Sequence, residues 1–165
     1  MKGIHTCLWF ESQAEDAARF YTSVFKHSKL GTITHYGSAA AEASGRPKGS
    51  VMTANFKIGD HEFMCLNGGP QFKFSEAISL MAMCDDQDEI DEYWEKLSQG
   101  GEKSVCGWLK DKYGLSWQIV PADFDEWMKD KDESKKERVM AAVMKMTKLD
   151  IKTLEDAYHD KVGVR

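Results

Sequence analysis

Cysteine is the residue type of this chain best able to bind a soft metal or form a redox pair, and its spacing argues against both. The four cysteines are 58, 19 and 22 positions apart, so the sequence holds no Cys-x-x-Cys pair of the kind found in zinc knuckles and redox dithiols. Each cysteine lies in or beside an apolar run, where a free thiol usually packs as a small hydrophobic group. We therefore expect buried, unpaired thiols at Cys7, Cys65, Cys84 and Cys106.

His5 is the histidine best placed for chemistry, because it lies in an alternating apolar segment close to Trp9. Such an imidazole is a hydrogen-bonded core residue, a group that orients a ligand, or a general base. His61 and Glu62 are adjacent in sequence, but neighbouring side chains of a strand point to opposite faces, so the two would not converge on one ion. The three remaining histidines lie among polar neighbours, and we expect them at the surface: His27, His35 and His159.

The composition of the chain excludes several classes of protein. Its 165 residues are 42% apolar and 30% charged, which is normal for one folded domain or two small ones. With 22 basic and 27 acidic residues the net charge is −5, so no positive field attracts nucleic acid or an anionic membrane. No window approaches 18 consecutive apolar residues, and the first ten residues lack the apolar core of a signal peptide. We expect a cytoplasmic protein.

Apolar periodicity in the first half predicts one strand, one helix and a hairpin. Residues 3–10 alternate with apolar side chains on both faces, which predicts a strand buried on both sides. Ser12, with Glu15 three positions on, has the pattern of a helix N-cap, and apolar residues then recur at helical spacing to about residue 25. Further along we predict a strand at 33–36, a long mobile connection at 37–49, and strands at 51–58 and 61–66 joined by a turn at Gly59-Asp60.

The same order of elements recurs in the second half. Residues 77–84 read as a strand, and Asp85 or Asp86 can cap the helix that follows and ends at Gly100-Gly101. A hairpin with arms at 105–110 and 115–120 closes the unit around a charged turn at 111–114, which we expect to be solvated. The helix of the first half aligns with that of the second half at an offset of 74 residues, and the hairpin turns align at an offset of 55. Residues 1–121 are therefore described as two copies of a unit made of a strand, a helix and three strands.

Residues 122–165 have a different composition and predict a helical extension. The segment Lys129 to Arg138 is almost entirely charged, which fits a linker or a solvated helix. Val139, Met140, Val143 and Met144 recur at helical spacing and either pack on the chain itself or form a partner-binding face. A further short helix is predicted at Ile151 to Tyr158.

Several sequence segments resemble one known family. They are HTCLWF, QAEDAARFY, GSVMTANFKIG, FMCLNGGPQFKF and, most specifically, CGWLKDKYGLSWQIVP. Together they are similar to the PhnB-like branch of the vicinal oxygen chelate superfamily, which includes glyoxalase I, bleomycin-resistance proteins, fosfomycin-resistance transferases and extradiol dioxygenases. Proteins of this branch are often labelled demethylubiquinone methyltransferases, but the chain has no G-x-G-x-G turn after a strand to hold a nucleotide-bearing methyl donor.

The resemblance implies an α+β fold. Two βαβββ modules, at about 3–68 and 74–121, would form a curled mixed sheet around a cleft within a domain at 1–121, followed by C-terminal helices at 122–165. In metal-dependent relatives, four inward positions on the first and last strands of the modules hold a divalent ion. Here those positions match His5, Ser79, Gln118 and, from the turn alignment and within one residue, Phe63.

Three good metal ligands cannot be assembled from this set. A one-residue shift would bring in Glu62, so a bound ion would involve His5 with Glu62 or Gln118, whereas catalytic sites use at least three protein ligands. We therefore expect no cofactor, with a divalent metal as the alternative.

Aromatic residues on the proposed cleft strands suit a flat organic ligand, or else form the core between sheet and helices. Gln118 lies in an otherwise apolar strand, where a buried amide must find hydrogen-bond partners. The residues that we predict to contact a ligand are His5, Trp9, Phe63, Phe72, Phe74, Trp108 and Gln118.

Three functions compete at this stage. The favoured one is a metal-independent homodimer that binds a small organic molecule in its aromatic cleft, as bleomycin-resistance proteins do. The second is a metal-dependent lyase, isomerase or transferase of the glyoxalase type, which leaves open whether the protein is an enzyme. The third is an assembly protein that makes contacts through its C-terminal extension.

Overall fold

A computed structural model describes residues 3–161 of the chain. It divides into two compact units, Met1–Phe74 and Ser75–Arg165, each with its own four-stranded mixed sheet. The expected α+β fold with two βαβββ modules is therefore confirmed. No helix in the described part of the chain is long and apolar enough to cross a membrane.

The first module consists of one mixed sheet and two helices. Its strands lie in the order β1-β4-β3-β2, with β1 parallel to β4 and the other pairs antiparallel. The tight turn at Gly59 and Asp60 joins β3 to β4, as its sequence predicts. The elements are β1 Thr6–Phe10, α1 Ala14–Val24, β2 Ser28–His35, α2 Ser38–Ser44, β3 Val51–Ile58 and β4 His61–Asn67.

Helix α1 covers one face of this sheet with small residues and one large ring. Ala14, Ala17 and Ala18 are fully buried, which lets the helix approach the strands closely. Tyr21 packs its ring 5.5 Å from that of Phe56 on β3. This contact makes the α1 side the core of the first module.

Three local predictions in the first module are wrong. Residues 3–10 are not buried on both sides, since Ile4 is 77% exposed and His5 and Cys7 are also exposed. Ser12 does not cap α1; the amide N–H of Ala14 donates instead to the Oδ1 of Asn67, at 2.8 Å. The connection at 37–49 contains α2 rather than being structureless.

The second module repeats this plan, but its last three strands are shorter than those of the first module. Its strands lie in the order β5-β8-β7-β6, again with the first and last strands of the module parallel. Asp86 caps α3 as predicted, since its side chain accepts from the amide of Glu89 at 2.8 Å. The elements are β5 Ser79–Cys84, α3 Gln87–Ser98, β6 Glu102–Lys103, β7 Trp108–Lys110 and β8 Ser116–Pro121.

The turn between β7 and β8 is built on a buried carboxylate, which contradicts the prediction of a solvated charged turn. Asp111 is 2% exposed. Its Oδ1 accepts from the amides of Tyr113 and Leu115 at 2.8 and 3.1 Å, and its Oδ2 accepts from Trp117 Nε1 at 2.9 Å. The carboxylate therefore sets the shape of the hairpin.

The C-terminal extension packs against the second module. It contains α4 Phe124–Met128, α5 Glu133–Val143 and α6 Ile151–Tyr158, so both predicted helical segments form and α4 is additional. The amides of Cys106 and Gly107 donate to the carbonyls of Met146 and Thr147, each at 2.8 Å. A shared apolar core joins the extension to β8 and consists of Val120, Trp127, Val139, Val143, Leu149 and Leu154.

Candidate functional site

The face of the first sheet opposite α1 carries a pocket of about 400 Å³. Cys7, Met64 and Asn55 are cross-strand partners on β1, β4 and β3, so they form one row on this face. Lys57 faces both Glu62 and Lys29 across the strands and forms the next row. All six residues line this cavity, which we call the first pocket.

The side chains of His5 and Glu62 are in contact at the edge of the first pocket. His5 Nδ1 lies 3.1 Å from Glu62 Oε2, and each side chain is more than half exposed. Because the carboxylate holds Nδ1, the Nε2 atom of the ring remains available to a ligand. His61 points to the other face, where its Nε2 lies 2.8 Å from Thr6 Oγ1, as strand alternation predicts.

Asn55 has a buried polar atom with no protein partner. The residue lines the first pocket, yet its Oδ1 is inaccessible and forms no hydrogen bond within the described structure. Gly31 lies directly above it at an irregularity in the pairing of β2, where an added methyl group would come within 3.1 Å of the Asn55 carbonyl oxygen. An unpaired amide oxygen costs free energy unless a ligand donates to it.

Charge in the first pocket is positive on the β2 and β3 side. Lys29 and Lys57 are directly opposed, which is unfavourable for two like charges. Neither ammonium forms an ion pair with another residue that the structure describes. An anionic ligand would relieve this repulsion.

The predicted ligand-contact residues divide among several places. His5 and Phe63 line the first pocket, although Phe63 is mostly buried and stacks on Phe56 with ring centroids 4.7 Å apart. Trp9 donates from its indole nitrogen to the Gly69 carbonyl and contacts the exposed ring of Phe72 edge-on.

Two further aromatic residues of that predicted set lie elsewhere. Phe74 packs on Phe10 in the first unit, with ring centroids 5.3 Å apart. Trp108 is in the second unit, where it lines another cavity.

The side chains of Gln118 and Ser79 form a hydrogen bond with each other. The Nε2 of Gln118 donates to the Oγ of Ser79 at 2.8 Å within the second module. The sequence predicts that the Gln118 amide needs a hydrogen-bond partner, and Ser79 of the same sheet provides one.

Four positions hold the metal in the metal-dependent relatives, and the strand register assigns one of them to a different residue than the sequence alignment did. The amide of Gly68 donates to the Phe10 carbonyl just as that of Ala122 donates to the Cys84 carbonyl. This correspondence aligns β4 with β8 at an offset of 54 residues rather than 55. Met64, not Phe63, is thus the counterpart of Gln118.

The side chains at the four positions do not fit a catalytic divalent ion. They are one imidazole, one thioether, one hydroxyl and one amide, whereas zinc, nickel and iron sites rely on imidazole, carboxylate or thiolate. Cys7 is exposed as a residue, but partial desolvation raises the pKa of its thiol, which therefore stays protonated at neutral pH. No group of three or more histidine, cysteine or acidic side chains within residues 3–161 could hold a metal.

Asn55, Lys29, Lys57 and Met64 are pocket residues that the sequence did not single out. Asn55 could have been identified from the sequence, because it is a lone amide between Ala54 and Phe56 in an apolar run. Lys29 and Lys57 could not have been identified in this way, because they lie opposite each other only through the pairing of β2 with β3.

Comparison with known proteins places the chain among proteins of the same fold. Residues 2–120 match the family model described as 3-demethylubiquinone-9 3-methyltransferase. The PhnB protein from Bacillus cereus is 36% identical over 73% of this chain and 100% of its own, with a TM-score of 0.65.

The fosfomycin resistance protein FosX from Mesorhizobium loti shares the fold. It is 16% identical over 79% of this chain and 99% of its own, with a TM-score of 0.56. No curated protein is similar enough to the chain to match it.

Proposed function

This chain belongs to the 3-demethylubiquinone-9 3-methyltransferase family, the PhnB-like branch of the glyoxalase and bleomycin-resistance superfamily, and we propose that it binds a small organic molecule without a metal. The observation that carries the proposal is the buried, unpartnered Oδ1 of Asn55 in the wall of the first pocket. We further propose that it acts as a cytoplasmic homodimer, the arrangement expected from the family resemblance.

The chemistry of the first pocket defines the ligand that it would take. The orphan oxygen of Asn55 requires a hydrogen-bond donor, and the opposed ammonium groups of Lys29 and Lys57 favour an anion. Met64 offers apolar contact to the body of the molecule. A planar organic acid that carries an N–H or O–H group meets all three requirements.

Indole-2-carboxylate is a suitable probe, because benzofuran-2-carboxylate has the same shape but lacks the N–H donor. We expect calorimetric titration to show that the indole binds about tenfold more tightly than the benzofuran, a difference of about 1.4 kcal/mol for one buried hydrogen bond. Asn55→Ala should abolish this difference. The dissociation constant should be the same with and without EDTA, because no metal takes part.

Controls separate the pocket from the general surface charge. Lys57→Gln should weaken indole-2-carboxylate binding severalfold, while Lys48→Gln, at an exposed position outside the pocket, should leave it unchanged. Equal binding of the two probes by the unmodified protein, or loss of binding after chelation, would contradict the proposal.

The metal-dependent enzyme is the second candidate, and one contact favours it. His5 and Glu62, an imidazole and a carboxylate, touch each other on adjacent strands. If chelation removes both binding and a stoichiometric ion, and His5→Ala does the same, a lyase, isomerase or transferase replaces the binding protein as the best account.

A further inference from the structure

A second pocket, of about 490 Å³, lies in the second unit and does not depend on the first. Strands β6, β7 and β8 form one side of it through Glu102, Lys110 and Ser116, which are successive cross-strand partners. The C-terminal extension completes it, since Met144 follows directly on α5 and its Sδ lies 3.9 Å from the Sγ of Cys106.

Ser116 supplies an unsatisfied polar atom to the second pocket. The residue lines the cavity, is only 1% exposed, and its hydroxyl has no hydrogen-bond partner in the described structure. Hydroxyl groups in such positions usually find a partner, so the Ser116 hydroxyl has hydrogen-bonding capacity that no described residue uses.

One carboxylate of the second pocket has no ion-pair partner among the described residues. Lys110 forms an ion pair with Glu76, and Lys103 is held by Glu95, which does not line the cavity. Glu102 faces Lys110 across the strands but forms no ion pair of its own with a described residue. The hydrogen bond from Lys110 lowers the pKa of Glu76, so this carboxylate is ionised at neutral pH.

Apolar side chains at the rim of the second pocket are unusually exposed. Val105 is 61% exposed and Met144 is 63% exposed, and Trp108, the first residue of β7, also lines the cavity. Large apolar side chains that surround a polar cavity mark interaction sites, and an indole face attracts cations.

We propose that the second pocket binds a small organic ammonium ion. Glu102 faces its charge, and the hydroxyl of Ser116 accepts a hydrogen bond from its N–H group. Trp108 and Met144 contact its apolar body. The C-terminal extension thus has a binding role in addition to its packing role.

The test uses the full chain and three probes of similar shape. These are 2-phenylethylamine, which is cationic at pH 7.5, neutral 2-phenylethanol, and anionic 3-phenylpropanoate. By calorimetric titration we expect the amine to bind at least tenfold more tightly than the alcohol, and the anion to bind more weakly still. Equal binding of the amine and the alcohol would overturn the proposal.

Matched substitutions locate the binding. Glu102→Gln should weaken amine binding about tenfold and Met144→Ala severalfold. The controls Glu42→Gln and Met83→Ala, both at exposed positions outside the second pocket, should have no effect. If the controls weaken binding as much as the pocket variants do, the amine binds elsewhere and the proposal fails.

Ser116→Ala separates a ligand-binding role from a structural one. Because the hydroxyl has no partner, its removal should leave the melting temperature unchanged or raise it, while amine binding weakens severalfold. A lower melting temperature with unchanged affinity would show that the hydroxyl is structural.

Competition distinguishes this proposal from that for the first pocket. Indole-2-carboxylate should not displace 2-phenylethylamine, because the two pockets are lined by different residues. Displacement would mean that the amine binds in the first pocket, which would overturn the present inference and leave the first pocket as a binding site.

Discussion

Replacement of Asp111 by alanine is expected to destabilise the second unit by about 3 to 5 kcal/mol, because two buried N–H groups and one half-buried N–H group lose their acceptor together. Two are backbone amides of the β7–β8 turn and the third is the indole of Trp117, and all three donate to the two oxygens of this one carboxylate. Urea denaturation followed by circular dichroism measures the effect without relying on Trp117 as the reporter.

Asp111→Asn and Asp60→Ala are the matched controls. The asparagine keeps Oδ1 for the amides of Tyr113 and Leu115 but turns an NH₂ group towards the Trp117 indole, so we expect a loss of about 2 kcal/mol. Asp60 occupies the exposed turn of the first module, and its replacement should change stability by less than about 0.5 kcal/mol. Similar losses for Asp111→Ala and Asp60→Ala would show that the Asp111 carboxylate is not an internal scaffold.

Elements fixed by nearby residues could be predicted from the sequence. Gly59 has a φ of +55°, which glycine adopts without strain, so the turn between β3 and β4 followed from local chemistry alone. The cap of α3 is equally local, because Asp86 and the amide that it accepts from are three residues apart. The two-module plan followed from the recurrence of such local signals.

Features that depend on distant residues could not be predicted. The first turn of α1 is capped by Asn67, which lies 53 positions away from Ala14 in the sequence. Asn67 comes close to α1 only because β4 pairs with β1. The burial of Asp111 has another cause, because its three donors lie only 2, 4 and 6 positions away and the sequence does not show that the turn folds back over the carboxylate. Local sequence gives the composition of a turn but not what packs over it.

The candidate site was predicted in part. His5 and Phe63 line the first pocket, and His5 contacts Glu62, but the register assigns the fourth family position to Met64 rather than to Phe63 or Glu62. The remaining pocket residues depend on register, because one step along β4 exchanges Phe63 on the α1 side for Met64 on the pocket side. A turn alignment that is uncertain by one residue cannot resolve that exchange.

Gly101→Ala is expected to destabilise the second unit by about 3 kcal/mol, at the upper end of the cost of overpacking. A methyl group here would lie 2.1 Å from the Lys110 carbonyl oxygen and 2.7 Å from the Asp111 carbonyl carbon, both backbone atoms that cannot rotate away. The chain must pass this close because Gly101 ends the turn after α3, with its amide donating to Ser98, and leads directly into β6. Thermal denaturation followed by circular dichroism provides the measurement.

Gly100→Ala is the control that isolates the steric clash. Gly100 has a φ of +77°, so alanine would be strained there by about 1 kcal/mol, but its nearest neighbour is the Lys112 Cβ at an ordinary 3.5 Å. The larger loss should therefore belong to Gly101, and equal losses would show that the backbone shifts to accept the methyl group. Because Gly101 also sets Glu102 opposite Lys110, a folded Gly101→Ala protein should bind 2-phenylethylamine more weakly, whereas Gly100→Ala should retain its affinity.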